Sequence, residues 1–173
     1  MIEPTPRRLL LLLMLVASAG APARADEVLD RVLAVVGDHM ITLTDVTAAR
    51  DFGLVDAPAG ADLVREILPR LIDRELMLVE VDRYAPPEPG VEALDAAMGA
   101  ARARFASEEA FERALERSGI NAGRLRETLR QNLRIDAYLD QRFTRGRTAQ
   151  IVQDWIDGLR RRTEIVDLSI TAR

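Results

Sequence analysis

One short segment restricts the architecture of this 173-residue chain more than any other. Near its end, Glu164-Ile165-Val166-Asp167-Leu168-Ser169-Ile170 alternates apolar and polar residues as a half-buried strand does, yet it follows a long stretch of helical periodicity. A strand must pair its backbone N–H and C=O groups, and a hairpin alone is marginal in water. The other β-like stretch lies at the opposite end, residues 28–42, where two β-branched runs flank Gly37-Asp38. Glycine accepts positive φ and aspartate tolerates it, so a tight turn joins these runs into a hairpin. The economical solution pairs residues 165–170 with that hairpin. The expected fold is therefore mainly α: a single helical domain of about six helices, closed by a small antiparallel sheet formed from an N-terminal β-hairpin and a C-terminal strand.

The helices announce themselves by caps and periodicity. Thr44 or Asp45 can cap a short helix running to about Phe52, and Asp62 can cap the strongest one. There Leu63, Val64, Ile67, Leu68, Leu71, Ile72, Leu76, Met77 and Val79 form a stripe wide enough to be buried on more than one side. Pro69 lies inside it and should bend or divide the helix, at a cost of about 3 kcal/mol unless packing compensates. Pro86-Pro87-Glu88-Pro89-Gly90 is a rigid linker, followed by a helix with Val91, Leu94, Met98, Ala101 and Phe105 on one side. Ser107 caps the next helix, which Gly119 stops, and Asn121 caps a long Arg-rich helix to about Arg145. A last helix, residues 148–162, carries Ile151, Val152, Trp155, Ile156 and Leu159, with Trp155 read as core.

Residues 1–25 read as a transport address rather than as part of the fold. Arg7 and Arg8 precede an apolar run over residues 9–19, and Ala23 and Ala25 supply the small side chains that a signal peptidase needs, so cleavage is expected after Ala25. The alternative is a membrane anchor, which the run falls short of, since crossing a bilayer takes roughly 20 apolar residues. Residues 26–173 then form one domain, and a chain of that size buries roughly 70% of its unfolded surface.

Composition narrows the function. Removing residues 1–25 takes away Arg7, Arg8 and Arg24 but only one acid, Glu3, so the formal charge of −4 becomes −6. An acidic exported chain is a poor candidate for nucleic-acid binding. With no cysteine there is neither a disulfide nor a thiolate metal site. Arg124, Arg126, Arg130, Arg134, Arg142, Arg145 and Arg147 are interleaved with Glu127, Asp136 and Asp140, which reads as a solvated helix face, with contact to anionic lipid headgroups as the weaker alternative.

Groups for chemistry are sparse. His39 is the only histidine and sits beside the hairpin turn, so no metal or nucleophile constellation can be assembled around it. Glu108-Glu109 read as helix-start charges, Ser107 and Ser118 have no base in view, and Gly53 and Gly60 do not make a phosphate loop. No catalytic residue, metal or cofactor is expected.

Several of these segments together resemble the SurA-type periplasmic chaperones for outer-membrane proteins. Ala34-Val35-Val36-Gly37-Asp38 through Thr44-Asp45-Val46 is similar to that family's opening strand, turn and cap. Residues 63–78, with Arg70-Leu71-Ile72, resemble its long second helix, and residues 107–138 its later helices. Trp155 followed by Thr163-Glu164-Ile165-Val166 resembles its closing helix and strand. The likeness covers most of residues 28–170 and rests on packing and turn signals. One departure matters: members usually carry parvulin-type prolyl isomerase domains before the closing helix, whereas Arg145-Gly146-Arg147 joins the helices directly here. The resemblance implies a periplasmic chaperone core, residues 26–173, without isomerase activity.

The expected function is that of an ATP-independent holdase for unfolded or nascent outer-membrane proteins, with no small-molecule substrate and no nucleic-acid partner. A structural or adaptor module of the cell envelope that holds one specific folded partner is the alternative. A holdase needs adaptable apolar surface, for which Met98, Phe105 and Phe111 are the candidates, with plain core packing as the competing reading of each.

Overall fold

The computed structural model describes residues 30–55, 62–144 and 146–169. The expected leader with Ala23 and Ala25, the 56–60 loop, Arg145 and Ile170 lie outside them. Strands β1 (Val32–Val36) and β2 (His39–Thr42) form an antiparallel hairpin, with Val36 opposite His39. Gly37 takes φ 57° at the first central position of the turn, where a type II′ turn requires glycine; Asp38 does not share the positive φ. Strand β3 (Ile165–Asp167) pairs antiparallel with the other edge of β1, placing Ile165 opposite Val36 and Val166 opposite Val35. The order is β2-β1-β3, so the two ends of the described chain close on one another.

Two departures from regular pairing shape this sheet. The register slips at Leu33, since Val32 faces Thr42 while Ala34 faces Ile41, and this bulge lets Leu33 and Ala34 both be buried. Strand β3 is shorter than the expected 165–170 span. The Asp167 carboxylate accepts hydrogen bonds from the Ser169 N–H at 2.9 Å and its hydroxyl at 2.6 Å, which turns the chain off the ladder.

Helix α1 (Leu43–Phe52) begins two to three residues earlier than its sequence suggested. Its cap is Thr42, not Thr44 or Asp45: the Thr42 hydroxyl accepts from the Asp45 N–H at 3.3 Å, and the Asp45 carboxylate accepts from the Thr42 N–H at 2.9 Å. Thr42 serves both elements because the extended backbone of a strand end is also the backbone of an N-cap. Helices α2 (Leu63–Tyr84), α4 (Glu108–Arg117), α5 (Ala122–Arg142) and α6 (Ala149–Arg160) start behind Asp62, Ser107, Asn121 and Thr148, each of which accepts a first-turn N–H; the first three are the expected caps, and Thr148 precedes the last helix instead of opening it. Helix α3 (Val91–Arg102) follows the proline linker. Pro69 does not divide α2, which continues through it as one helix. Its ring lies on the exposed side, beside the equally exposed Arg65, where water can take the freed carbonyl.

Helix α2 is the spine. Its Ile67, Leu71 and Leu76 pack beneath the inner face of the sheet, with Leu33, Val36 and Ile41 above and Ile156 and Leu159 of α6 beside them. Its far end, Leu78 and Val81, packs on Ile135, Tyr138 and Leu139 of α5. A third cluster joins Phe52 of α1 to Met98, Phe111, Leu115 and Leu125. Each such fully buried side chain contributes roughly 1.5–3 kcal/mol, so the wide stripe on α2 is what binds sheet and helices into one body.

Candidate functional site

A cleft lies between α2 and α5, divided by a polar bridge. Arg74 of α2 is only 6% exposed. Its Nε donates to the Asn132 side-chain oxygen at 2.7 Å, and its Nη2 to the Gln131 side-chain oxygen at 2.7 Å and the Thr128 carbonyl at 3.4 Å. Glu75 pairs with its remaining terminal nitrogen. Asn132 in turn donates to the Leu54 carbonyl at 3.1 Å, tying α5 to the chain just after α1. A buried guanidinium is tolerated here because each of its three nitrogens meets an acceptor and one neighbour is an anion.

A cavity opens on each side of this bridge. The first, about 190 Å³, lies beneath β2 and is floored by Ile41, Ala48, Leu71 and Ile120, with Asp45, Glu75, Arg124 and Glu127 around its mouth. The Asp45 carboxylate is held 3.2 Å from Arg124. His39 stands at its edge with Nδ1 3.9 Å from Glu75. The second, about 470 Å³ and more open, is lined by Leu54, Val55, Met77 and Ile135 together with Arg70, Asp73 and Asp136. Burial pushes the Asp73 carboxyl above its usual value, against the opposing pull of Arg160, whose Nε donates to it at 2.8 Å, while Asp157 adds to the rise. The walls of both cavities mix apolar side chains with amides and paired charges.

The candidates from the sequence lie elsewhere. Met98 is 7% exposed and Phe111 1%, and Phe105 packs against the same cluster. Phe52, Phe105 and Phe111 form a triangle of rings with centroids 5.5–5.8 Å apart, and the Arg102 guanidinium covers Phe111 at 5.2 Å. Met98 and Phe111 are therefore buried core and Phe105 is partly buried against them, because α1, the loop before α4 and α4 itself supply aromatic neighbours that satisfy one another. Trp155 is partly buried against Tyr138 and Phe143, both 5.9 Å away, under the Arg142 guanidinium.

The Arg-rich helix is also less solvated than its sequence suggested. Arg134 is buried, donating to Asp82 at 2.8 Å and lying 3.3 Å from Glu88, which Arg130 also grips. These pairs hold the proline linker against α5. Arg147 donates to Asp136 at 3.0 Å and Asp140 at 2.9 Å, closing the short turn into α6. At the start of α4 the hydrogen bond from the Ser107 hydroxyl holds the Glu109 carboxyl below its ordinary value, in keeping with a helix-start charge.

Sequence reasoning missed Arg74, Asn132 and Leu54. The signal was present for Arg74, which falls between Leu71 and Leu78 on the buried stripe at helical spacing. Among the described residues no group of three or more His, Cys, Asp or Glu could hold a metal, and no described helix is long and apolar enough to cross a membrane. No protein-family model matches the chain, and the search of curated proteins found no match.

Proposed function

We propose that this protein is an exported, periplasmic, ATP-independent holdase that keeps unfolded outer-membrane polypeptides from aggregating and releases them without chemistry. The observation that carries this reading is the divided cleft around Arg74. Its first cavity is smaller than the roughly 300–1,000 Å³ typical of small-molecule sites and suits single side chains, while Leu54, Val55 and Met77 offer an apolar wall to an extended chain. Neighbouring amides and paired charges can satisfy a client's backbone. The leader-like residues 1–25 and the resemblance of residues 28–170 to SurA-type chaperones support the same conclusion.

Binding of this kind is weak and multi-site, because an extended client loses conformational freedom at each contact and must later leave. The test is light scattering during dilution of a denatured β-barrel protein. A several-fold molar excess of the purified protein is expected to delay aggregation. No delay, or a nanomolar complex with one folded envelope protein combined with indifference to unfolded chains, would replace the holdase by an adaptor.

A further inference from the structure

The sheet has a second apolar face that no helix covers among the described residues. Strand β1 reads Val32-Leu33-Ala34-Val35-Val36, apolar at every position, as a strand buried on both sides would be. Ala34, Val36, Ile41 and Ile165 turn towards α2 and α6. On the opposite face Val35 stands between Met40 and Val166, which are its direct partners in the two ladders. Met40 is 64% exposed and Val166 41%, and Leu168, which follows, is exposed too. The three side chains make one apolar row across the full width of the sheet.

The same region has an open edge. Hydrogen bonds from β3 to β1 use the Glu164 carbonyl and the Leu168 N–H, and by the alternation of an antiparallel ladder they also use Val166. The N–H and C=O groups of Ile165 and Asp167 therefore point away from β1, and none has a backbone partner among the described residues. Area decides what can sit here. The exposed row amounts to a few hundred Å² at most, well under the roughly 800 Å² that each partner gives to a stable protein interface. A second folded copy would gain too little; one strand would gain both the row and the edge.

We infer that β3 accepts, as a fourth strand, an extended segment of another polypeptide whose apolar side chains, at alternate positions, continue the Met40–Val35–Val166 row. The Asp167 carboxylate lies at the same edge on the opposite side of the strand, so the intervening residues of that segment are polar, and basic beside Asp167. Such a pattern is that of a β-barrel strand before it folds. The inference rests on the holdase reading and gives it a second client surface, which adjoins the first Arg74 cavity at Met40 and extends away from it along β3.

The probe is a fluorescein-labelled ten-residue peptide of alternating Val and Thr with one Lys in a Thr position, titrated into the purified protein by fluorescence anisotropy. Saturable binding is expected, with slowed amide exchange at Ile165 and Asp167. The same residues with the valines in one block, and an alternating peptide N-methylated along one edge, are expected to bind at least tenfold more weakly. So is the alternating peptide to the double variant Met40→Lys, Val166→Lys, whose fold is checked by its melting curve. Asp167→Lys leaves the apolar row intact and is expected to switch preference to a Glu-containing peptide. Equal binding of all peptides or no effect of Asp167→Lys would overturn the inference. So would self-association of the free protein that the double variant abolishes, or edge amides already protected without peptide; these would assign the surface to a second copy or to the chain's own termini. If the double variant still delays aggregation as well as wild type, this inference fails and the holdase stands; if wild type itself gives no delay, the holdase reading fails whatever the peptide does.

Discussion

Asn132 accepts a hydrogen bond from Arg74 at 2.7 Å through its side-chain oxygen and donates through its nitrogen to the Leu54 carbonyl at 3.1 Å, so one amide on α5 ties the spine helix to the end of α1. Removing the guanidinium leaves Asn132, Gln131 and the Glu75 carboxylate without their buried partner. Arg74→Ala is expected to destabilise the protein by about 3 kcal/mol in urea unfolding, because losing one member of a buried pair exposes the other to an uncompensated desolvation cost. A change below about 0.5 kcal/mol would show that the bridge is not structural.

The start of α1 gives a sharper comparison. Thr42→Ala removes the hydroxyl half of the capping box, leaving only the Thr42 N–H bond to the Asp45 carboxylate, and is expected to cost about 1 kcal/mol, whereas Thr44→Ala, two residues on, should change stability by less than about 0.5 kcal/mol. Paired thermal melts of the two variants check it; the reverse ranking would return the cap to Thr44.

Much of the architecture was legible before any coordinates, and for identifiable reasons. Asp62, Ser107 and Asn121 were recognisable caps because each stands directly before an apolar periodic run, whereas Thr148 was read as the first residue of its helix rather than as the cap. Thr42 was misassigned because a β-branched residue at the end of a strand satisfies both readings, and only backbone geometry reveals that it holds both roles. The union of residues 165–167 with β1 followed from the need of a lone strand for a partner, but its early end at Asp167 depends on a local side-chain hydrogen bond that alternation does not encode. The candidate site was the least legible part. Helical spacing places Phe111 on an apolar face without saying that Phe52 and Phe105 close over it, and it gives no sign that Arg74 and Asn132, from helices far apart in sequence, meet between two cavities.

Phe111 accordingly tests the corrected assignment of that cluster. Phe111→Ala is expected to lower unfolding free energy by about 3–5 kcal/mol, the usual cost of emptying a packed aromatic site. At temperatures where the variant remains folded, its protection of a denatured β-barrel protein should match wild type. A stable variant with lost protection would restore Phe111 to the client surface.

Asp73 gives a pH signature. Its folded-state carboxyl titrates above the ordinary 3.8, chiefly because it is buried, so the unfolded chain releases this proton first as pH rises. The contribution of Asp73 to stability therefore falls as pH climbs from about 4 through the raised folded-state value. Asp73→Asn cannot ionise, and the stability of the variant relative to wild type is expected to rise across that window and level off above it. Urea midpoints taken from about pH 3 to about pH 7 check this; a constant difference, or one of opposite slope, would mean that Arg160 outweighs burial.

The central claim is that the cleft beside Arg74 receives unfolded chain. Hydrogen–deuterium exchange of the protein, alone and saturated with a denatured β-barrel protein, tests it most directly. Slowed exchange is expected at residues 54–55 and in the stretches of α2 and α5 around Met77 and Ile135, with no change in the Phe111 cluster. Unchanged exchange on both sides of the Arg74 bridge while the client is demonstrably bound would contradict it.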